Sequence, residues 1–117
     1  LFAATEECDA SDRFKQTYID ARPEDVRIIK SPTGFAARAV NTDFVQRAYD
    51  RGGIPVEHCF RCMPEICNAA ETPFCLSQAL FDAATGEKDG LVFCGGRVGE
   101  ITEISTVPEV MHKLCEA

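Results

Sequence analysis

The sequence comprises 117 residues, 45% of them hydrophobic, and its 19 acidic and 12 basic side chains give a formal net charge of -7 at pH 7. This negative charge opposes binding to nucleic acids and to anionic membranes, because both require cationic side chains. No apolar run reaches the roughly 18 residues of a membrane-spanning helix. The composition therefore predicts a folded, globular chain with neither kind of partner.

The first seven residues begin apolar and then turn polar. Residues 1–4 read Leu-Phe-Ala-Ala, and Thr5, Glu6 and Glu7 follow. This pattern is typical of the exit of a buried strand, and a lone strand needs partners from elsewhere. Because the chain also opens with Leu1 and no initiator methionine, we expect it to be part of a longer protein.

A helix is predicted next. Asp9 or Ser11 can cap its start, and Phe14 and Tyr18 fall one turn apart on its apolar face. Pro23 ends it.

A short hairpin and a second helix are predicted after this proline. The β-prone residues 26–29 and the loosely alternating residues 35–40 flank a Pro-Thr-Gly turn. Asn41 or Thr42 then caps a helix that runs through Asp50.

Four of the seven cysteines are grouped in one irregular segment, at Cys59, Cys62, Cys67 and Cys75. A Cys-x-x-Cys pair can place two sulfurs on one ion, so this spacing fits a tetrathiolate zinc site or an iron–sulfur cluster. Packed thiols without a ligand, and disulfides, are the alternatives. An odd number of cysteines excludes complete internal pairing, and we therefore expect a reducing, cytoplasmic location.

The cysteine segment leads into a third helix. Thr72 and Pro73 predict its start, which places Cys75 in the first turn, where free amide groups favour a thiolate. Gly86 is the expected terminator. The predicted buried stripe consists of Leu76, Ala79, Leu80 and Ala83.

Two further elements are predicted near the C-terminus. A short buried run at residues 90–94 ends in Gly95 and Gly96, where a ligand or a neighbouring element can approach the backbone closely. Thr106 and Glu109 form a capping box that opens a terminal helix. Its predicted apolar face consists of Val107, Val110, Met111 and Leu114.

Several short motifs occur in a recognisable order along nearly the whole chain. They are TEE at residues 5–7, KSPTG at 30–34, RAVN at 38–41, CFRC at 59–62, TPFCL at 72–76, GLVFCG at 90–95 and VM at 110–111. This order resembles the C-terminal part of the nitronate monooxygenase family. These proteins are flavin-dependent TIM-barrel oxidoreductases related to the flavin-containing enoyl reductases.

The resemblance implies an α/β fold, the C-terminal part of a flavin-binding TIM barrel with a mostly helical, loop-rich extension. Residues 1–22 would form the end of the last barrel strand and the last barrel helix. Residues 23–117 would form the extension, with the short hairpin, the cysteine-rich loop and the helices. The rest of the barrel would then be the main partner, and a second copy of the chain is a candidate partner.

The resemblance also implies FMN, bound mainly by upstream residues that would include the catalytic base, so no catalytic residue is assigned here. Chemistry in TIM barrels occurs at the carboxyl ends of the strands, so Thr5 and Glu6 would face the cofactor. Cys94, Gly95 and Gly96 would lie near the flavin. The two glycines correspond to a Gly-Gln pair in the family, and glycine stands here in place of the glutamine.

The implied activity of the whole protein is the oxidation of nitronates or related small substrates through reduced FMN, and the given chain alone is expected to be inactive. Two alternatives stay open. One is an NAD(P)H-dependent flavin reductase acting on quinones or enoyl thioesters. The other is a small zinc-stabilised interaction module that is complete in itself.

Overall fold

Short helices and one hairpin form the regular elements of the computed structural model, which describes residues 1–116. In chain order they are α1 (Asp12–Asp20), β1 (Val26–Lys30), β2 (Ala36–Val40), α2 (Asp43–Asp50), α3 (Leu76–Thr85) and α4 (Val107–Glu116). Single turns of 3-10 helix occupy Phe2–Ala4, Pro23–Asp25 and Val98–Glu100. None of the helices within residues 1–116 combines the length and apolar character needed to cross a bilayer.

Helix α1 begins where its sequence predicts. The Oγ atom of Ser11 accepts a hydrogen bond from the Phe14 amide at 3.1 Å, which satisfies one of the free N–H groups of the first turn. Phe14 and Tyr18 pack edge to face with their ring centroids 5.2 Å apart. The predicted cap and the predicted apolar face are both confirmed.

The predicted hairpin is also confirmed, and it gains a third extended segment from far along the chain. Strands β1 and β2 pair antiparallel from Val26 with Val40 to Lys30 with Ala36. Residues 92–94 lie along the other edge of β2, because Val40 donates to the Val92 carbonyl at 3.0 Å and Cys94 donates to the Arg38 carbonyl at 3.0 Å. This pairing places Cys94 beside the hairpin.

Two groups of buried side chains form the interior. One surrounds Phe74, which is 1% exposed and packs edge to face against Phe44 and Tyr49 at 5.3 and 6.0 Å. The other joins Tyr18 to Val92 and to Val98 of the 3-10 turn at Val98–Glu100. The first group fixes the start of α3, and the second fixes the run that ends at Cys94.

Residues 1–7 differ from the expected exit of a strand. Phe2–Ala4 form a 3-10 turn, and Thr5 makes a single parallel bridge to Ser105. A full strand needs a neighbour that pairs with it over several residues. Within residues 1–116, this segment forms a β-bridge with one residue, Ser105. The assignment of residues 1–22 to a barrel and of residues 23–117 to an extension stays a prediction.

Helix α3 begins at Leu76, three residues after the predicted start at Pro73. Cys75 has extended backbone angles, φ -85° and ψ 114°, so it is the N-cap and not a first-turn residue. The Thr72 hydroxyl donates to the Phe74 carbonyl at 2.9 Å, which holds the preceding backbone in a turn outside the helix. The predicted terminator is confirmed, because Gly86 has the left-handed φ of 74°.

The expected buried stripe of α3 is wrong at Leu80, which is 40% exposed. The helix packs against the run at residues 90–94 through its small residues Ala79 and Ala83, which are both buried. The Leu91 amide donates to the Ala79 carbonyl at 3.1 Å. Close backbone contact on this face turns Leu80 outward.

Helix α4 has the predicted capping box. Thr106 donates its amide to the Glu109 carboxylate at 2.9 Å, and Glu109 donates its amide to the Thr106 hydroxyl at 3.3 Å. Of the predicted apolar face, Val110 is 2% exposed, whereas Met111 and Leu114 are 48% and 49% exposed. The helix therefore buries a narrower stripe than its sequence indicates.

Candidate functional site

A cavity of about 620 Å³ opens beside Cys94. Its walls come from five parts of the chain: residues 1–4 with the first 3-10 turn, Tyr18 of α1, residues 93–95 of the extended run, residues 97–101 around the last 3-10 turn, and Leu114 of α4. We call it the Cys94 cavity. Most of its lining is apolar, with a few polar groups at the edge, which is the usual character of a small-molecule site.

The Cys94 thiol is half-buried at this cavity. Burial raises the pKa of Cys94, and the nearby positive charge of Arg38 opposes that shift. The thiol is therefore protonated at neutral pH. A protonated, half-buried thiol can pack against a ligand, but it is a poor nucleophile.

Tyr18 supports the wall of the cavity from α1. Its hydroxyl donates to the Phe93 carbonyl at 2.6 Å, across 75 residues of sequence. Burial, followed by the nearby thiols Cys94 and Cys8, raises the pKa of Tyr18 to about 12. The phenol therefore stays neutral and keeps donating throughout the physiological range. The sequence analysis treated Tyr18 as part of an apolar helix face, and nothing local to α1 indicates its distant acceptor.

Gly95 lines the Cys94 cavity and Gly96 follows it in the chain, and both leave open space for a neighbouring group. Neither has a positive φ. Among the described residues, no atom lies within 4 Å of a Cβ built on Gly95, and the nearest atom to one built on Gly96 is Nε of Arg38 at 3.9 Å. Nothing in residues 1–116 therefore demands glycine here, and the backbone is open to a group from outside.

Thr5 and Glu6 lie next to the cavity but do not line it. Thr5 is 1% exposed, and its hydroxyl donates to the Phe2 carbonyl at 2.7 Å. Glu6 is exposed, and its amide donates to the Ser105 carbonyl at 2.9 Å. The preceding residues Ala3 and Ala4 reach the cavity instead. A cofactor-binding role for Thr5 and Glu6 therefore stays a prediction.

The four grouped cysteines border a second cavity of about 270 Å³, which we call the thiol cavity. Its lining contains Cys59 and Cys62, which are exposed, and Cys67 and Cys75, which are half-buried. In residues 1–116, no three His, Cys, Asp or Glu side chains are arranged to hold a metal ion. The four sulfurs therefore do not surround one common point. All seven cysteines are free thiols. The metal-ligand assignment stays a prediction.

Comparison with known proteins identifies the family. The family model described as nitronate monooxygenase matches residues 1–117. Among solved structures, FabK from Thermotoga maritima has 21% identity and a TM-score of 0.69 over 97% of this chain and 33% of that chain. A point mutant of the same FabK gives 17% identity and a TM-score of 0.66 over 97% and 30% of the two chains.

The present chain thus spans about a third of the length of the FabK structures that it matches. A search of curated proteins finds no match. The structural likeness establishes a shared fold, in agreement with the α/β class predicted from the sequence. The family match confirms the resemblance seen in the order of the sequence motifs, and the chain belongs to the nitronate monooxygenase family.

Proposed function

We propose that the natural protein containing this sequence is a flavin-dependent oxidoreductase and that the Cys94 cavity forms one side of its flavin site. The observation that carries the proposal is the family match, which extends over all of residues 1–117. This match favours the enzyme over a small interaction module that is complete in itself.

The rim of the Cys94 cavity fits a planar, largely apolar ring. Gly95 and Gly96 present backbone without a side chain, so an aromatic face can approach to van der Waals distance. Cys94 and Phe93 add a neutral, polarisable and apolar surface next to them. We propose that the bound flavin is FMN and that upstream residues hold most of it, with Thr5 and Glu6 close to its edge.

Flavin, when bound, supplies the electron chemistry of such enzymes. The described residues would orient the ring and exclude water. The Tyr18 hydrogen bond holds the Phe93 carbonyl in place, and this fixes the backbone on which Cys94 and Gly95 lie. The Cys94 thiol stays protonated and moves no proton in this scheme.

The flavin contact is tested by filling the open space at the glycines. We expect Gly95→Val to lower the flavin content of the purified natural protein several-fold while leaving the melting temperature of the flavin-free protein nearly unchanged, since no atom of residues 1–116 opposes a Cβ there. Flavin content is measured from the visible absorbance per mole of protein. The matched control is Ala36→Val, which adds bulk at the exposed end of β2. Equal flavin content in both variants and the parent would contradict the proposed contact.

We further propose that the substrates are nitronates or related small carbanions, oxidised with oxygen as the acceptor. The alternative within the same fold is an NAD(P)H-dependent reductase of quinones or enoyl thioesters. Anaerobic mixing separates the two. We expect an alkyl nitronate to bleach the flavin absorbance of the natural protein and NAD(P)H to leave it unchanged. Bleaching by NAD(P)H alone would establish the reductase, and bleaching by neither would overturn both assignments.

The cytoplasmic location and a homodimer remain further proposals. Free thiols at Cys59, Cys62 and Cys115 are exposed, which suits a reducing compartment. Size-exclusion chromatography of the natural protein, with light scattering, determines whether a second copy binds.

A further inference from the structure

We propose that the thiol cavity is a Zn²⁺ site in which Cys59, Cys62, Cys67 and Cys75 are the ligands. All four line this one cavity, whereas Cys8, Cys94 and Cys115 lie elsewhere in the described residues. The cavity shares no lining residue with the Cys94 cavity. The inference of a metal site therefore rests on the cysteine segment, and only the choice between zinc and a cluster refers to the proposed flavin site.

The segment that carries these cysteines lacks its own means of support. Residues 51–75 contain no helix or strand. Their hydrogen bonds are mostly local turns, such as the Cys67 amide to the Met63 carbonyl at 2.9 Å, and Ile54 to Pro73 at 2.8 Å ties the two ends together. Phe60 and Ile66 are 50% and 63% exposed, and no residue of 51–73 is buried, so this part of the loop forms no apolar core. Phe74, at the end of the loop, packs against Phe44 of α2. Loops of this kind are commonly stabilised by a structural metal ion.

The Cys-x-x-Cys turn contains a residue in the left-handed backbone conformation between its two cysteines. Among the non-glycine residues of 1–116, Arg61 alone has a positive φ, at 54°. This conformation costs on the order of 1 kcal/mol for a residue with a side chain. It folds the backbone between Cys59 and Cys62, and both residues border the thiol cavity.

Cys75 and Cys62 lie on the side of the cavity that α3 forms. Cys75 is the N-cap of α3, and its carbonyl accepts a hydrogen bond from the Ala79 amide at 2.9 Å. The Ser77 hydroxyl donates to Sγ of Cys62 at 3.2 Å, so a first-turn side chain of α3 holds this sulfur. Free amide groups at the start of a helix also favour the negative charge of a zinc–thiolate centre. These two residues form the fixed half of the proposed site.

The remaining two ligands must move inward, because the sulfurs are not yet arranged around one point. Cys59 and Cys67 lie on the irregular loop, and in the proposed site they close on Cys62 and Cys75 when the ion binds. Each thiol that binds Zn²⁺ releases its proton to solvent, and no electron moves. The step therefore needs no oxidant and no co-reactant besides the ion.

Zinc is favoured over an iron–sulfur cluster by the position of the cavity. A cluster would serve to pass electrons, and the thiol cavity has no residue in common with the proposed flavin site. Zn²⁺ is redox-inert and binds four thiolates tetrahedrally, which is the typical structural site.

The test measures the metal content of the natural protein, purified without chelator from cells supplied with zinc. We expect about one Zn²⁺ per chain in the parent and at least about a tenfold loss of zinc affinity in Cys62→Ser. Cys115→Ser is the matched control, because its thiol is exposed on α4 outside the cavity. Its zinc content should equal that of the parent, and flavin content should be the same in all three proteins.

A spectroscopic readout covers the case in which Cys62→Ser fails to fold. Co²⁺ added to the metal-free parent should produce the intense thiolate charge-transfer absorption of a tetrahedral sulfur site, and added Zn²⁺ should displace it. A parent that binds neither ion, or equal zinc in Cys62→Ser and the parent, would overturn the proposal. Iron together with acid-labile sulfide would overturn the choice of zinc, whether or not flavin is bound.

Discussion

Tyr18 connects α1 to the wall of the Cys94 cavity through one hydrogen bond, from its hydroxyl to the Phe93 carbonyl at 2.6 Å. The acceptor belongs to the extended run that pairs with β2, so this bond joins two elements that are otherwise held by apolar packing. Removing the hydroxyl leaves a partly buried carbonyl without this donor, which is more costly than losing an exposed contact.

We expect Tyr18→Phe to lower the free energy of unfolding by about 1 kcal/mol, measured by urea denaturation of the natural protein. The matched control is Tyr49→Phe. Its hydroxyl donates to the Lys30 carbonyl at the same distance of 2.6 Å, but in an exposed place where water can substitute. A smaller loss in the control is therefore expected, and equal losses would argue against a special role of the buried bond.

The raised pKa of Tyr18 predicts that the stability of the fold depends on pH. Tyrosine is charged when deprotonated, and in the folded state the pKa of Tyr18 is raised from 10.0 to about 12. The unfolded chain therefore loses this proton first as the pH rises. The stabilisation is fully present below pH 10 and is lost between about pH 10 and about pH 12. The difference in stability between the parent and Tyr18→Phe, measured across this range, should shrink as pH increases, and a constant difference would contradict the raised pKa.

At the scale of elements, α3 and the start of the extended run approach each other closely at Gly90. A Cβ built on Gly90 would lie 2.2 Å from the Ala79 carbonyl oxygen and 2.5 Å from the Ala83 amide nitrogen. Both atoms belong to the backbone of α3, so neither can move without displacing the helix. Glycine at position 90 is what allows residues 92–94 to reach β2.

We expect Gly90→Ala to destabilise the natural protein by about 3 kcal/mol, because overpacking against backbone forces the two elements apart. The thermal midpoint, followed by circular dichroism, measures this. Gly95→Ala is the control, since nothing in residues 1–116 lies within 4 Å of its added Cβ. An unchanged midpoint in Gly90→Ala would mean that α3 does not pack against the extended run as described.

Elements with local signals could be predicted from the sequence, and long-range contacts could not. Ser11 and the Thr106–Glu109 pair encode their helix starts within four residues, and both starts are confirmed. The bond from Tyr18 to Phe93 spans 75 residues and leaves no local pattern. The family resemblance alone places Cys94 near the flavin in the sequence analysis. Its pairing with Arg38 of β2 is a long-range contact that the sequence does not indicate.

The errors of the sequence analysis have a similar origin. Cys75 was assigned to a helical turn from the preceding proline, but the turn made by the Thr72 hydroxyl holds it one residue outside. Leu80 was assigned to the buried stripe because it is apolar, but α3 approaches its neighbour through Ala79. In both cases a tertiary contact outweighs the local preference.

At the scale of the whole molecule, the described chain is extended and exposes much apolar surface. It measures 47 by 27 by 25 Å, and its radius of gyration is 15.2 Å, against roughly 13 Å for a compact domain of this length. The large hydrophobic residues that are exposed are Leu1, Phe2, Ile28, Phe35, Phe60, Ile66, Leu80, Phe81, Ile104, Met111 and Leu114. Such surface normally contacts another part of the protein.

We therefore expect these 117 residues, expressed alone, to bind a hydrophobic dye such as ANS strongly and to melt over a broad range without sharp cooperativity. The natural protein should bind much less dye per mole and melt sharply. Calorimetry and dye fluorescence measure both properties. A sharp transition and weak dye binding in the isolated piece would instead support the self-contained module.

The two ends of the described chain are fastened to each other. Thr5 pairs with Ser105, the Ser105 amide donates to the Ala4 carbonyl at 3.1 Å, and the Val107 amide donates to the Glu7 carboxylate at 3.0 Å. Removing residues 105–116 would therefore also release the opening residues, and the Cys94 cavity would lose lining from both ends of the described chain at once.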